Sequence, residues 1–241
     1  MPDLAVLEEF LAGGRVDDAV FELRPDYRAM LLAVDGLVPG PGDQASDALL
    51  QAAEAAARDA LSDRPLEQIP HVAAWREAYR AFGAKPKRTR SSLEALLRRS
   101  AAGLPRVNWL TDCYNAVSVL HQIPLGGEDL TRYAGAPRLL RAAGTEPFDT
   151  VADGALVTEN PDPGEVVWCD DAGVTCRRWN WRQARRTQLG EDTTTALFIL
   201  DALSPVTDGA LHAAADDLLA HLTRPGSGVR AGRRLLAASS N

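Results

Sequence analysis

The most polar of the segments that the sequence predicts to be structured lies between positions 108 and 118. Asp112, Asn115 and Ser118 recur every third residue, so on a helix that begins near Asp112 they share one face. Asparagine forms helices poorly but donates and accepts hydrogen bonds, so we predict that this face carries a polar site with Asp112 and Asn115 at its centre. The structural alternative is that Asp112 caps the helix and Asn115 fastens a loop.

A second candidate is the segment Pro124–Leu130, which contains Gly126, Gly127 and Glu128. Paired glycines let the backbone approach a ligand closely, although tight turns use them as well. The segment is not a phosphate loop, because the GxxxxGK[ST] pattern is absent. We therefore predict that these three residues contact a substrate.

The third candidate is the aromatic and basic run Trp179, Asn180, Trp181 and Arg182. Tryptophan and arginine together stack on bases and pair with phosphates, whereas in the alternative a buried tryptophan pair is covered by arginine side chains. Alternation along a strand would send the two tryptophans to one face and Asn180 and Arg182 to the other.

Several classes of protein are disfavoured by motifs that the sequence lacks. It contains no GxSxG, no HExxH and no dinucleotide-binding glycine pattern. The four histidines are not grouped as metal ligands, and the three cysteines show no CxxC spacing. Cys113 has no histidine near it in sequence to activate its thiol. We expect no metal, no cofactor and a location in the reducing cytoplasm.

The charge of the chain is unevenly distributed. The net charge of the 241 residues is −7, yet residues 71–106 contain nine Lys or Arg and two Glu, a local charge of +7. A basic face on an acidic protein can hold a polyanion, because screening limits electrostatic attraction to short range. We predict that RNA binds Lys85, Lys87, Arg88 and Arg90; the alternative is a solvated basic turn. A second basic cluster comprises Arg177, Arg178, Arg182, Arg185 and Arg186.

The periodicity of apolar residues predicts helices early in the chain and strands late. Helices are expected near 46–61, 70–82, 91–103, 112–121 and 208–222, and strands near 21–23, 30–34, 139–142, 155–157, 165–169, 174–177 and 196–200. This order predicts an α+β fold with a mixed sheet and flanking helices. We expect residues 1–69 to be an N-terminal extension packed on a main domain at 70–224, and residues 225–241 to be a loosely ordered tail. No run of about 20 apolar residues predicts a membrane span.

Taken in order, five segments resemble the editing domain of the phenylalanyl-tRNA synthetase β subunit, the B-three/B-four domain. That family has a V-D-x-T-N segment, a G-x-P-L-H-A-F-D segment, a strand with R-x-A, a G-E/D-hydrophobic-D hairpin and a T-T-hydrophobic-E segment. The matching segments here are 111–115, 122–129, 141–143, 164–170 and 194–201. Further residues between 70 and 96 and at 178–182 are similar to stand-alone proteins of this type, so the resemblance covers about residues 70–203.

The resemblance implies a cytoplasmic trans-editing hydrolase whose partner is mischarged aminoacyl-tRNA. It places Asn115, Asp112 and Asp201 in catalysis, with Asp201 where the family pattern ends in glutamate. An aminoacyl ester is already activated, so its hydrolysis needs a positioned carbonyl, a placed water and donors for the oxyanion, which Asn115 and the Gly126–Gly127 backbone can supply. Two alternatives stay open: a non-catalytic binding module for an amino acid or RNA, and a hydrolase of small aminoacyl esters.

The sequence departs from the family pattern at the expected pocket. Gly126 stands where the family has histidine, Tyr114 stands where it has threonine, and Asp201 is one methylene shorter than glutamate. Large aromatic residues at 179 and 181 occupy a segment that is rich in glycine in the family. We therefore expect tyrosyl-tRNA(Phe), the substrate that the resemblance implies, to be a poor substrate of this protein.

Overall fold

Seven α-helices and eleven β-strands are formed by the residues that the computed structural model describes, which are 4–224 and 227–238. The helices are α1 (Leu4–Gly13), α2 (Asp18–Leu23), α3 (Gln44–Ser62), α4 (Pro70–Ala81), α5 (Ser92–Arg99), α6 (Trp109–His121) and α7 (Asp208–Leu222). The strands are β1 (Arg15–Val16), β2 (Arg28–Asp35), β3 (Leu125–Asp129), β4 (Arg138–Arg141), β5 (Phe148–Ala152), β6 (Ala155–Glu159), β7 (Val166–Asp170), β8 (Gly173–Arg177), β9 (Arg182–Gln183), β10 (Thr195–Ala202) and β11 (Arg230–Ala237). The predicted α+β class is confirmed.

The central layer is a four-stranded sheet in the order β11-β2-β10-β3, in which all neighbours are antiparallel. All eight residues of β10 are buried, as are seven of the eight in β2. Both faces of these strands are therefore covered, which explains why they appear in the sequence as continuous apolar runs rather than as alternating patterns.

A second sheet has the order β1-β4-β7-β8-β9 and is mixed, because β1 pairs with β4 in parallel while the other pairs are antiparallel. The predicted hairpin turn between β7 and β8 is present. The Asp170 carboxylate accepts hydrogen bonds from the backbone N–H groups of Ala172 and Gly173, at 2.9 and 3.1 Å. An aspartate that bonds its own turn in this way stabilises the reversal of the chain. Strands β5 and β6 form a separate hairpin.

The hydrophobic core occupies both faces of the four-stranded sheet. On one face, Phe198 and Leu200 pack among apolar residues of α6 and α7. On the other face, Leu31 and Ile199 belong to a cluster that includes Trp75 of α4 and residues of β4 and β7. The mixed sheet thus covers the second face of the four-stranded sheet. Residues from both sheets line a cavity between them.

Three expectations about secondary structure are wrong. Residues 21–23 end helix α2 rather than forming a strand, since three residues, of which two are apolar, are too few to show a period. Helix α6 begins at Trp109 instead of Asp112, because the Asn108 side chain accepts the Thr111 N–H at 2.8 Å and caps the helix there.

The third error concerns the expected loose tail, in which residues 230–237 form β11 and pair with β2 along its whole length. The Arg234 guanidinium also donates to the Leu11 carbonyl at 2.7 Å, and Leu236 is buried. This segment is a strand because it pairs with β2, which is distant in sequence. Its local sequence does not indicate that partner. The predicted looseness at residues 225–226 and 239–241 lies outside the described residues.

The expected N-terminal extension, residues 1–69, supplies β2 between β10 and β11. Its helix α3 also packs against α6 through Leu50 and Ala53. Residues before position 70 therefore hydrogen-bond and pack directly with the segment that carries the motifs. Within 4–224 and 227–238, no helix is long and apolar enough to cross a membrane.

Candidate functional site

A cavity of about 240 Å³ opens between the four-stranded sheet and the mixed sheet. Strands β3 and β10 form its floor, helices α5 and α6 form one side, and β7, β8 and the turn after β8 form the other. Its lining comprises Ser92, Ala95, Leu96, Tyr114, Asn115, Leu125, Gly126, Glu128, Trp168, Cys176, Trp179, Asn180, Trp181, Gln183, Ile199 and Asp201. Seven of the residues predicted from the sequence to act in catalysis or substrate binding are among them.

Strand β3 contributes Leu125, Gly126 and Glu128 to the cavity. Gly126 pairs with Ile199, and both line the cavity, as does Glu128 two residues on. Gly127 points the opposite way, where a Cβ atom would lie 2.8 Å from the Phe198 ring. Packing in the core therefore requires glycine at position 127. Gly127, which was predicted to contact a substrate, does not line the cavity.

Asp201 is a buried carboxyl group on the floor of the cavity, held by two neutral donors. The Tyr27 hydroxyl donates to Oδ1 at 2.5 Å, and the Asn180 amide donates to Oδ2 at 3.1 Å. Burial raises the pKa of Asp201 to about 7, against the lowering effect of these hydrogen bonds. Near neutral pH this group therefore exists in both protonation states, as a general base or acid requires.

The turn after β8 places three consecutive residues at the cavity. Arg178 and Trp179 have positive φ angles of 47° and 68°, so the chain turns sharply instead of continuing as a strand. Trp179, Asn180 and Trp181 consequently all line the cavity. The predicted strand alternation is wrong. Arg182 does not line the cavity, and its guanidinium donates to the Val151 carbonyl at 3.3 Å.

The aromatic residues of this turn are fixed by their neighbours. Trp179 is fully buried and meets the rings of Tyr27 and Trp75 edge-on, with centroid distances of 5.0 and 5.3 Å. Trp181 is only half-buried, and the Arg178 guanidinium lies 4.6 Å from the centre of its ring. The Tyr79 hydroxyl donates to the side-chain oxygen of Asn180, Oδ1, at 3.0 Å. The side-chain nitrogen of Asn180 is therefore directed at Asp201.

Helix α6 separates the polar residues that were expected to share a face. Asn115 is buried and lines the cavity beside Tyr114. Asp112 lies outside the cavity and accepts the Val107 N–H at 2.8 Å, while the Ser118 hydroxyl donates to the Ile123 carbonyl at 2.6 Å. Asp112 and Ser118 thus fasten the loops at the two ends of α6, and the structure does not place Asp112 with Asn115 and Asp201.

Glu128 is the second carboxyl group of the cavity and is 1% exposed. The Tyr133 hydroxyl donates to its Oε2, whereas Oε1 has no hydrogen-bond partner among the residues that the structure describes. Burial raises the pKa of Glu128 to about 7, opposed by the hydrogen bond from Tyr133.

Several cavity residues carry no recognisable signal in the sequence. Gln183 donates to the Gly127 carbonyl at 2.9 Å, and its amide lies 3.1 Å from where a Cβ on Gly126 would stand. The side-chain nitrogen of Trp168 and the Ser92 hydroxyl are buried without a partner in the described part of the chain. These residues come from three separate elements, so only the folded chain brings them together. Tyr27 was missed for the same reason, since 174 residues separate it from Asp201.

The thiols of the protein are buried and poor nucleophiles. Cys113, Cys169 and Cys176 are free, and burial raises the pKa of Cys113 and of Cys169 to about 12. Burial likewise raises the pKa of Cys176, which lines the cavity, well above its usual value. In the part of the chain that the structure describes, no group of three or more His, Cys, Asp or Glu side chains is placed to hold a metal ion.

The basic turn predicted to bind RNA lies at the surface. Lys85, Lys87 and Arg88 are exposed, and none forms an ion pair with a described residue. Arg90 is half-buried, bonds the Lys87 carbonyl at 3.0 Å and lies 3.7 Å from Glu94. Three of these side chains are therefore available to a partner, and the fourth helps to hold the turn.

A second cavity of about 290 Å³ lies between this turn and Arg178, and its lining includes Lys85, Arg88 and Thr89. The Arg178 guanidinium donates to the Thr89 hydroxyl at 2.5 Å and covers Trp181 of the first cavity. The basic turn thus adjoins the polar cavity through a single arginine.

The second basic cluster is largely engaged within the protein. Arg177 pairs with Glu165 at 2.9 Å and with Glu159 at 3.0 Å, and Arg186 bonds both oxygens of Asp170 at 2.8 Å. These arginines therefore stabilise the mixed sheet rather than presenting free charge.

The fold is that of an α+β protein with a small cavity between two sheets, lined by aromatic side chains and a few polar ones. The family model of the B3/4 domain matches residues 74–222, which is more than half of the chain, and the chain belongs to that family. The family inferred from the five sequence segments is thereby confirmed. A search of the curated proteins found no match.

Among solved structures, the chain is similar to an N-terminal fragment of the phenylalanyl-tRNA synthetase β-subunit from Pyrococcus horikoshii. The sequence identity is 13% and the TM-score is 0.42, over 92% of this chain and 50% of that chain. This protein therefore spans about half the length of the fragment.

Proposed function

We propose that this protein is a cytoplasmic trans-editing hydrolase that removes a wrongly attached amino acid from tRNA. One observation carries the proposal: a cavity that holds Asn115 and Asp201 adjoins a basic turn in which Lys85, Lys87 and Arg88 are exposed and form no ion pair with a described residue. Its volume of about 240 Å³ is below the roughly 300–1,000 Å³ typical of pockets for drug-sized ligands, which suits an aminoacyl group.

The chemistry of the site favours attack by water. The ester of an aminoacyl-tRNA needs no protein nucleophile, and the thiol that lines the cavity, Cys176, has a strongly raised pKa. Asp201 accepts the proton of the attacking water in our proposal and returns it to the ribose oxygen as the ester C–O bond breaks, since a group with a pKa near 7 can both accept and donate a proton at neutral pH. The Asn115 amide donates to the ester carbonyl as negative charge develops on its oxygen, a contribution worth about 10²–10³ in rate.

The tRNA lies along the basic turn in this proposal. Lys85, Lys87 and Arg88 meet the phosphates near its acceptor end, because polyanion binding depends on free cationic side chains. Arg178, placed between the two cavities, is within reach of both the RNA and the rim of the aminoacyl site.

A deacylation screen tests the proposal. The full chain is incubated with a panel of tRNAs that each carry one mismatched amino acid, and the release of radiolabelled amino acid is measured beside Asn115→Ala and buffer alone. We expect at least one species to be hydrolysed well above the spontaneous rate, with more than tenfold less activity for Asn115→Ala.

The remaining outcomes separate the alternatives. Hydrolysis of aminoacyl methyl esters at the same rate as aminoacyl-tRNA would replace the proposal with a hydrolase of small esters. Binding of tRNA or of an amino acid without hydrolysis of any species would replace it with a non-catalytic binding module.

A further inference from the structure

The unpartnered oxygen of Glu128 is the strongest sign of a ligand group in the cavity. Glu128 is 1% exposed and lines the cavity; the Tyr133 hydroxyl bonds its Oε2, and the buried Thr175 hydroxyl, which also lowers the pKa of this carboxyl group, forms a hydrogen bond with neither oxygen. Oε1 has no partner among the described residues. Burying a carboxylate oxygen removes its hydrogen bonds to water, which costs free energy when no protein donor replaces them. A hydrogen-bond donor on a ligand would offset this cost.

The charges around the cavity specify what kind of donor is favoured. The lining contains the carboxyl groups of Glu128 and Asp201 but no Lys, Arg or His. Asp201 is bonded by the uncharged donors Tyr27 and Asn180, and Arg186, which acts on Glu128 from a distance, is paired with Asp170. No cation within the described protein neutralises Glu128, so a cationic ligand is favoured and an anionic one is repelled.

Aromatic side chains make up much of the cavity wall, and the Arg178 guanidinium already lies over the ring of one of them, Trp181. Trp168, Trp179, Trp181 and Tyr114 all contribute to the lining. Aromatic ring faces attract cations, most strongly where water is excluded. Arg182 lies outside the lining, and Arg178, at the rim over Trp181, is paired with Glu165 at 3.3 Å, so the lining offers no free arginine as a counter-ion for an acidic side chain.

We propose that Glu128 binds a primary ammonium group of the ligand through Oε1, so that the cavity selects aminoacyl groups that carry a free amine. The ammonium group is either the α-amine of the amino acid or an amine at the end of its side chain, since both offer the same charge and donors. Aminoacyl groups that carry no free amine, and acidic ones, are excluded. This inference rests on the proposed function for the identity of the ligand as an aminoacyl group.

Binding of small amides tests the inference without requiring hydrolysis. Isothermal titration of the full chain compares alaninamide with lactamide, in which a hydroxyl replaces the ammonium group. A second pair compares Nα-acetyl-lysinamide with Nα-acetyl-norleucinamide, which isolates a side-chain amine. We expect the amine to increase affinity at least tenfold in one of the two pairs, and the responsive pair identifies the source of the ammonium group.

The variant Glu128→Gln keeps the shape of the side chain and removes its charge. We expect the preference for the amine to fall to about threefold or less in this variant, while Glu9→Gln, an exposed glutamate on α1, keeps it. Equal affinity for amine and neutral partner in both pairs, measured on the wild-type chain, overturns the inference even if Glu128→Gln does not fold. A preference that survives in a folded Glu128→Gln variant also overturns it.

The two proposals fail in different ways. Amine-dependent binding that requires Glu128, together with no deacylation of any tRNA, contradicts the proposed function and supports the inference about the cavity. Deacylation of an aminoacyl-tRNA in which every amine is acetylated, at the same rate as the unacetylated species, contradicts the inference and leaves the hydrolase intact.

Discussion

The Tyr27 hydroxyl donates a 2.5 Å hydrogen bond to the Asp201 carboxylate, although 174 residues separate the two in the chain. Tyr27 directly precedes β2, and Asp201 stands on the neighbouring β10, where it pairs with Ala29. The central sheet therefore aligns the two side chains. This bond helps to fix the orientation of Asp201 and favours its ionised form, because a donor stabilises a carboxylate more than a carboxylic acid.

The variant Tyr27→Phe removes that donor and changes the dependence of activity on pH. The carboxylate of Asp201 is the active form in the proposed reaction, so activity falls as the pH drops below its pKa of about 7. Losing the hydrogen bond raises this pKa further, and we expect the acidic limb of the rate profile to move upward by about one pH unit. The profile is measured between pH 5.5 and 9.

The plateau at high pH is the internal control for Tyr27→Phe. Asp201 is ionised there in both proteins, so the two rates should agree within a few-fold. A profile that does not move, in a variant that folds normally, would show that Asp201 is not the group that titrates.

The sequence predicted the helices of this protein better than its site. The stripes of apolar residues in α3, α4 and α7 are regular, because each of these helices buries one face. Strand β11 was missed because its order depends on pairing with β2, about 200 residues earlier. The pattern of apolar residues within a segment indicates which of its side chains are buried, but it does not indicate which distant strand the segment pairs with.

Within the site, the sequence favoured residues that are polar and clustered. This located Asn115, Asn180 and Glu128, which line the cavity. It also selected Asp112, three residues before Asn115, whose partner is the Val107 backbone. Three residues along a helix correspond to a rotation of about 300°, so Asp112 and Asn115 point in directions about 60° apart and can contact different parts of the protein. Which of them faces the cavity depends on the positions of the surrounding loops.

Substituting Asn115 and Asp112 one at a time distinguishes a role in catalysis from a role in stability. We expect Asn115→Ala to lower turnover by more than tenfold with a melting temperature within a few degrees of the wild type, because its side chain lines the cavity. Asp112→Ala should instead keep turnover and lower stability by about 1–3 kcal/mol, since the Val107 N–H loses its partner. Steady-state deacylation and thermal unfolding measure both variants, and the opposite pattern would return Asp112 to catalysis.

Reversing the charge of the basic turn should weaken tRNA binding. The triple variant Lys85→Glu, Lys87→Glu, Arg88→Glu removes three exposed cations that have no ion pair among the described residues. Each lost phosphate contact lowers the slope of log affinity against log salt by about one. Filter binding at several salt concentrations measures affinity and slope together.

The control for this variant reverses Arg15, Arg58 and Arg64, which are exposed outside the basic segment, and so changes the total charge equally. We expect the control to retain most of the affinity and slope of the wild type. If both triple variants weaken binding to the same extent, only the net charge of the protein matters and the basic turn is not the tRNA site. If wild-type protein binds no RNA at low salt, the tRNA proposal itself is wrong.

Trp181 is expected to limit the size of the amino acid that the cavity accepts. It lines the cavity but is half-buried, with Arg178 over its ring, whereas Trp179 is fully enclosed by Tyr27 and Trp75. Shortening Trp179 would leave a void in the core and cost about 3–5 kcal/mol. Shortening Trp181 opens the rim of the cavity at a smaller cost, so this position can be tested without unfolding the protein.

Tyrosyl-tRNA(Phe) should be a poor substrate of the wild type and a better one of Trp181→Ala. The indole fills space that a bulky aromatic side chain needs, so its removal should raise deacylation of the tyrosyl species about tenfold relative to alanyl-tRNA. Trp181→Phe, which restores part of the ring, should give an intermediate ratio. Single-turnover deacylation of both species by the three proteins measures the ratio. Efficient and exclusive hydrolysis of the tyrosyl species by the wild type would show that Trp181 does not narrow the site.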